Sequence, residues 1–285
     1  MINNIIIFGD PLYKNEDGYI NHGLYKAFQS FGYKVYIINK SNINILDKID
    51  KTINMYIINT EQHNNLIPFK YSNYYVLIKC DSNYKSNILS MTNNLTIVEY
   101  NNNIDTTAYT NYGDYIYKKD RTIIMPWGSL LTPNEIINNL SNFVEFRDRN
   151  DNICMTRNYN ADMLRKSNIS NLKIVKKRII TLENEKELVE KCKFSLSLNK
   201  KPCTIDHKIL THLSYGAMCI SDCLLTCSYL DNQICYIDDM NNIETIIETY
   251  CNTFKKNNLF NLMENIYNNH TFCHRIQNIL TFFNL

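Results

Sequence analysis

Residues able to do chemistry are densest in the stretch Asp206-His207-Lys208-Ile209-Leu210-Thr211-His212-Leu213-Ser214-Tyr215-Gly216-Ala217-Met218-Cys219-Ile220-Ser221-Asp222. The stretch reads as a helix closed by Gly216, where a helix C-terminus wants a positive φ. A short strand and a turn at Ser221-Asp222 follow. Asp206, His207 and Lys208 stand at the start of the helix. Backbone N–H groups at a helix N-terminus favour a phosphate, and the Lys208 ammonium adds a point charge. The same pattern also fits an ordinary packed helix with a solvated polar start.

A second group of titratable residues lies near the N-terminus. Asp10 ends the first apolar run, and Asp17 and His22 follow in what reads as a loop before the first helix. Histidine titrates near working pH, so His22 can act as a general base toward a hydroxyl group. It can equally cap the helix or contact a substrate. Asp10 is the rival base, and Asp17 a weaker one. His270 and His274 are spaced to share a helix face, with Cys273 between them. A zinc site would need a third ligand at suitable spacing and has none, and there is no HExxH pattern. Capping and packing roles are therefore expected, with Thr271 as the N-cap. Cys219, Cys223 and Cys227 should fall across a strand and a turn as buried structural thiols. The absence of a GxGxxG after a strand weakens a dinucleotide-enzyme reading.

These residues need elements to position them. Strands are expected at Asn4 to Phe8, Lys34 to Asn39, Met55 to Ile58, Tyr74 to Ile78, Ile97 to Tyr100 and Thr122 to Met125. A helix with Leu24, Ala27, Phe28 and Phe31 on one face is expected over Gly23 to Phe31, ended by Gly32. Short apolar strands separated by helical stretches argue for a parallel sheet with crossover helices. Pro126-Trp127-Gly128 interrupts the alternation, Pro133 to Phe143 reads as a helix, and Arg147 to Asp151 is charged. The pattern then restarts. Strands are expected at Ile153 to Met155, Leu172 to Val175, Phe194 to Leu198 and Met218 to Ser221. Helices are expected at Asn160 to Ser167, Glu183 to Cys192, Asp206 to Tyr215, Ile243 to Phe254, Leu259 to Tyr267 and Phe272 to Phe283. Two restarts of one βα pattern indicate two Rossmann-like lobes facing a cleft.

The bulk numbers agree with that size. The 285 residues, 45% hydrophobic, suffice for two α/β cores. A net charge of +2 carries no basic stripe or tail, so no nucleic-acid partner is expected. Abundant Asn, Ile, Lys and Tyr with only 7 Gly and 5 Pro report an A/T-rich genome, such as that of a parasite, a low-GC bacterium or a large DNA virus. Met1 leads straight into Ile5-Ile6-Ile7-Phe8, too short and too poor in basic residues for a secretory leader. No apolar run approaches the roughly 20 residues of a membrane span. Ten scattered cysteines fit a reducing compartment, so a cytoplasmic location is expected, the host cytoplasm if the source is viral.

Residues 206–222 resemble the C-terminal lobe of group-1-type glycosyltransferases, in the branch similar to spore-maturation glycosyltransferases. That branch shares a basic residue, a helix, a small residue before Gly, then two apolar residues and Ser-Asp or Thr-Asn. His270-Thr271-Phe272-Cys273-His274-Arg275-Ile276-Gln277-Asn278-Ile279-Leu280 resembles its ending, His-Thr-Tyr-x-x-Arg-x-x-x-Leu-Leu. Met125-Pro126-Trp127-Gly128-Ser129-Leu130-Leu131-Thr132-Pro133-Asn134-Glu135-Ile136 is similar to its Pro-Trp linker. Asn21 to Phe28 and Gly32 to Val35 look like its first helix and second strand. Two positions depart from the pattern. Thr211 stands where many group-1 enzymes carry a ribose-binding Glu, and the loop Thr156-Arg157-Asn158-Tyr159 lacks a Gly.

The resemblance implies the GT-B fold, α/β with two Rossmann-like lobes whose parallel sheets face a central cleft. Its lobes would be 1–131 on the acceptor side and 152–269 on the nucleotide-sugar side, connected by 132–151. Residues 270–285 would form a helix packing back on the first lobe. The implied activity is metal-independent transfer of a sugar from a nucleoside-diphosphate sugar, UDP or GDP, to a hydroxyl on a glycan, lipid or protein-linked acceptor. No cofactor is implied, and no Asp-x-Asp pair is present to hold a metal. Arg157 and Lys208 would meet the diphosphate charge. Thr211, Ser221 and Asp222 would hold nucleotide or sugar, and His22 or Asp10 would be the base. The alternative is a non-catalytic sugar-nucleotide or glycan-binding protein on a degenerate version of this fold.

Overall fold

The computed structural model describes residues 2–9, 16–50, 52–59, 70–78, 92–99, 106–113, 115–149, 151–155, 174–176, 182–198, 205–253 and 255–285. The chain forms two compact units. The first is Met1–Thr132 with Phe272–Leu285, and the second is Pro133–Thr271. No helix among the described residues is long and apolar enough to cross a membrane.

The first unit is built on an eight-stranded sheet. Strands β1 (Asn4–Phe8), β2 (Lys34–Ile38), β3 (Asn54–Ile58), β4 (Tyr74–Ile78), β5 (Leu95–Glu99) and β8 (Thr122–Ile124) run parallel. β6 (Thr110–Asn111) and β7 (Tyr117–Lys119) close one edge as an antiparallel meander with β8. The spatial order is β2-β1-β3-β4-β5-β8-β7-β6. β1 and β3 are buried along their whole length, because a central parallel strand is covered on both faces. Their apolar runs carry no period of two for the same reason. One face holds Phe8, Tyr56 and Tyr75, with the Tyr56 and Tyr75 rings stacked at 5.5 Å. The asparagines that open β1 and β3 are satisfied sideways, Asn4 Nδ2 donating to Asn54 Oδ1 at 2.9 Å.

Helix α1 runs Glu16–Ser30, about two turns longer toward the N-terminus than the sequence indicated. Gly18 and Gly23 hide it, since glycine disfavours helix by about 1 kcal/mol. Packing overrides that cost. Helix α8 (Phe272–Phe282) lies against α1, and the Phe272 ring covers Gly23 so closely that a Cβ there would sit 2.5 Å from its Cδ2 and Cε2. Trp127 stacks on Phe272 at 5.5 Å and 12°, and Phe272 N–H donates to Ser129 O. Phe31, expected on the buried face of the helix, lies just past its end and is 39% exposed.

The second unit has a five-stranded parallel sheet in the order β10-β9-β11-β12-β13. Its strands are β9 (Asp151–Met155), β10 (Ile174–Lys176), β11 (Cys192–Ser197), β12 (Met218–Ser221) and β13 (Cys235–Tyr236). Its helices are α2 (Pro133–Ser141), α3 (Leu182–Glu190), α4 (His207–Ser214), α5 (Leu224–Tyr229), α6 (Ile243–Thr253) and α7 (Lys256–Asn269). α3 stops at Glu190, and Cys192, expected in that helix, opens β11. α5 was not legible. It is a short helix with Leu224 and Ser228 exposed, and its apolar period is too brief to register. The expected helix over 160–167 lies outside the described residues.

Both units repeat one winding: the second strand, then the first, third, fourth and fifth, side by side. In such sheets a crevice opens at the carboxyl ends of the first and third strands, where the connections diverge. Those ends are Phe8 and Ile58 in the first unit, and Met155 and Ser197 in the second.

The Gly23 contact sets up opposed effects. Alanine should gain about 1 kcal/mol in helix propensity but lose about 1–3 kcal/mol to overpacking against Phe272. Gly23→Ala is therefore expected to destabilise the protein by about 0–2 kcal/mol, read as an unchanged or lower urea midpoint. A variant stabilised by the full propensity gain of about 1 kcal/mol would mean that α8 does not pack on α1.

Candidate functional site

In the second unit, α4 begins beside the carboxyl end of β11. Asp206 is its N-cap, with extended backbone, and its Oδ1 accepts the Lys208 N–H at 2.9 Å. The Ser197 hydroxyl, at the last position of β11, donates to the other carboxylate oxygen. The Asp206 N–H donates to Thr226 Oγ1 of α5 at 3.3 Å. One residue thus ties β11, α4 and α5 together at the switch point of the sheet. The sequence pattern puts Asp206 inside the helix; its place one residue before the first turn suits a carboxylate, a preferred N-cap group. The cap has a consequence for an anionic ligand. It already engages one of the open amides at this helix start, and it does so with a carboxylate.

The other end of α4 is closed as expected. Gly216 has φ +79°, its N–H donates to Leu213 O at 2.8 Å, and Ala217 N–H donates to His212 O at 3.2 Å. This is the Schellman pairing. A Cβ at Gly216 would also meet Phe143 Cε2 at 2.7 Å. β12 then returns along the sheet to Ser221, whose hydroxyl accepts the Cys223 N–H at 3.2 Å, and to Asp222 at the carboxyl edge.

The sequence-derived residues separate by burial. Lys208 and Asp222 are half-buried, with surface to offer a ligand. Thr211 and Ser221 are fully buried, so a nucleotide reaches neither side chain in this structure. Arg157 and Asp10 lie outside the described residues.

In the first unit, the described side chains at the β1/β3 corner include two neutral amides, Asn21 and Asn59. Asn59, just past β3, donates from Nδ2 to Asn21 Oδ1 at 2.9 Å, and Asn21 is fully buried. α1 approaches β1 so closely that a Cβ on Gly9 would lie 2.2 Å from Asn21 Nδ2. His22 is the next residue. It sits inside α1, half-buried, and not on a preceding loop, because the helix starts at Glu16.

The remaining histidines and cysteines take structural places. His270 caps α7 in the second unit, its Nδ1 2.7 Å from the Tyr229 hydroxyl, whereas His274 belongs to α8 in the first. The two do not share a helix face. Burial, reinforced by Arg275, lowers the His274 pKa. Cys219 lies in β12, Cys223 caps α5 and Cys227 lies within α5, so the expected turn is a helix. Burial pushes the Cys227 thiol up to about 11 and Cys235 to about 12, which leaves both as neutral thiols at physiological pH. Among the described residues no group of three or more His, Cys, Asp or Glu side chains could hold a metal ion.

No family model and no curated protein matches the chain. Solved structures do. An alpha-glucosyltransferase in complex with UDP and a 13-mer DNA containing an HMU base is similar at 11% identity and TM-score 0.66, with 100% of each chain covered. An alpha-glucosyltransferase in complex with UDP-glucose and DNA containing an abasic site is similar at 14% identity and TM-score 0.61, over 98% of this chain and 99% of that one. A glycosyltransferase from Rickettsia africae ESF-5 is similar at 10% identity and TM-score 0.60, over 99% of this chain and 98% of that one. The likeness at these identities defines the architecture. The chain has the GT-B glycosyltransferase fold, with two sheets rich in parallel strands.

The Asp206 knot should be measurable by itself. Asp206→Ala removes the cap and strands the Ser197 hydroxyl, so stability should fall by about 1–2 kcal/mol in urea unfolding. Asp206→Asn keeps an acceptor and should lose no more than about half of that. Equal losses in the two variants would contradict the capping role.

Proposed function

We propose that the protein is a glycosyltransferase that moves a sugar from a nucleoside-diphosphate sugar to a hydroxyl acceptor. The observation that carries this reading is the full-length likeness to glycosyltransferase structures, two of them described as holding UDP or UDP-glucose. A UDP sugar is therefore the first donor to test, with GDP sugars next.

The donor belongs at the carboxyl edge of β11 and β12 in the second unit. Lys208, at the start of α4, and Arg157 meet the charge of the departing diphosphate, with no metal required. Asp222, half-buried just past the end of β12, contacts sugar or nucleotide. Thr211 and Ser221, being buried, act from behind the contact surface by holding α4 and the β12 turn in place. In the transfer step a base takes the acceptor proton, the acceptor oxygen bonds the anomeric carbon, and the nucleoside diphosphate leaves with the bonding electrons. His22 and Asp10 remain the candidate bases.

The acceptor is read as a glycan, lipid or protein-linked hydroxyl, because the chain's charge is near neutral. The DNA in two of the similar structures makes a hydroxyl-bearing nucleic acid a necessary arm of the acceptor screen. One observation favours a second reading, a sugar-nucleotide-binding protein without turnover: the Asp206 carboxylate stands where a diphosphate needs positive charge. Release of free UDP in the presence of acceptor separates the two.

Lys208→Ala should weaken UDP binding by roughly 10- to 150-fold in calorimetry, the loss of one charge-assisted contact. His22→Ala should bind donor normally and lose kcat if His22 is the base, or raise the acceptor KM if it only positions the acceptor. Activity should survive EDTA. Loss of activity restored by Mn²⁺ or Mg²⁺ would overturn the metal-independent mechanism, and parent-like UDP affinity in Lys208→Ala would remove Lys208 from the donor site.

A further inference from the structure

Inside the second unit, three polar side chains form a line from strand to helix to helix. Ser195 Oγ lies 2.5 Å from His212 Nδ1, and His212 Nε2 lies 3.1 Å from Glu185 Oε1. Ser195 is 1% exposed, His212 2% and Glu185 0%. A serine, a histidine and an acid in a row resemble a hydrolytic triad. No substrate reaches a serine buried this deeply, so the role of the row is positional.

The placement of its members indicates what it positions. Ser195 and Ser197 are two apart on β11 and therefore point to the same face of the sheet. Ser197 bonds Asp206 at the first end of α4, and Ser195 bonds His212 in its last turn. The helix is thus pinned to one strand at both ends. Ile209, Leu210 and Leu213 supply its apolar packing, but apolar contact is non-directional and resists rotation weakly. A buried hydrogen bond resists it strongly, because turning the helix would leave a polar group unpaired in a low dielectric. His212 and Lys208 are four apart and lie on one face of α4. The pin that holds His212 therefore sets the direction of Lys208.

We propose that His212 is a positioning residue for the donor: the Ser195–His212–Glu185 row fixes the rotation of α4 and so aims the Lys208 ammonium at the diphosphate. This rests on the reading of the α4 start as the donor site. Ser195 and Glu185 serve the same function through His212.

A double-mutant cycle on the full chain tests it, with UDP as the calorimetric ligand and thermal unfolding in parallel. Ser195→Ala should weaken UDP binding by about 3- to 30-fold while the variant stays folded. In the Lys208→Ala background the same substitution should change UDP affinity by less than about two-fold, since the group it aims is gone. Glu185→Gln keeps an acceptor for His212 and should bind within about two-fold of the parent. If Ser195→Ala does not fold, Ser195→Cys, which nearly keeps the volume but lengthens the link, takes its place under the same criteria. Parent-like UDP affinity in a folded Ser195 variant overturns the proposal, and so does an effect equally large with and without Lys208. Parent-like affinity in Lys208→Ala alone is a different failure, because it removes the donor site from α4 and leaves nothing for His212 to position.

Discussion

The geometry of the second unit depends on how α4 is fixed to β11. A parallel strand buried on both faces supplies almost unlimited apolar contact but little that specifies where along it, or at what rotation, a helix should rest. Here two serines on one face of β11 supply that information, one through the Asp206 cap and one through His212. The same cap reaches sideways to Thr226, so the position of α5 follows from it. Gly216 then turns the chain at the far end with a positive φ, which lets β12 start directly beneath the helix. Everything at the carboxyl edge of this sheet, from Ser197 through Lys208 to Asp222, inherits its place from these few directional bonds.

That arrangement changes how an anion could be held. A helix start normally offers a phosphate several open amides and a partial positive charge. At α4 one amide is spent and a full negative charge sits beside it. A carboxylate about 6 Å from a unit anion costs about 3 kcal/mol at an effective dielectric of about 20. The amides left over do not obviously offset that, so cations must. In the proposed assignment Lys208, and Arg157 beyond β9, therefore carry more of the work than the helix N-terminus does.

The fold class was legible because parallel sheets write themselves plainly. Runs such as Ile5-Ile6-Ile7-Phe8 and Met55-Tyr56-Ile57-Ile58 are buried on both faces and have no other use. The ends of elements were less legible wherever tertiary packing overrode propensity. Gly23 argued against a helix, and only the Phe272 ring explains its presence there. This error moved His22 onto a loop. Cys192 looked like the end of a helix because its neighbours Val189 and Glu190 are helical. The meander of β6 and β7 is too short to show a period, and its turns use positive φ at Gly113, Tyr115 and Asp120, of which only the glycine is an obvious signal. In the candidate site, motif and position singled out residues 206–222, and the structure shows how that stretch is packed. They did not distinguish Lys208, which is half-buried, from Thr211, which is fully buried. That distinction depends on the packing around α4, and the polar pins from β11 are pairings that no local pattern encodes.

The two units share one winding but fill the switch-point corner differently. In the first, Gly9 and Asn59 follow the ends of β1 and β3, and the described residues there include a buried amide pair, Asn21 with Asn59. In the second, the described residues include the Asp206 carboxylate, which accepts the Lys208 backbone N–H. Neutral amides satisfy each other at modest cost and leave no net charge to compensate. A carboxylate does the opposite: it brings a charge that an anionic ligand has to overcome. The proposed assignment of the donor to the second unit therefore requires Lys208 and Arg157 to outweigh Asp206, whereas an uncharged hydroxyl in the first unit meets no such demand from the amide pair.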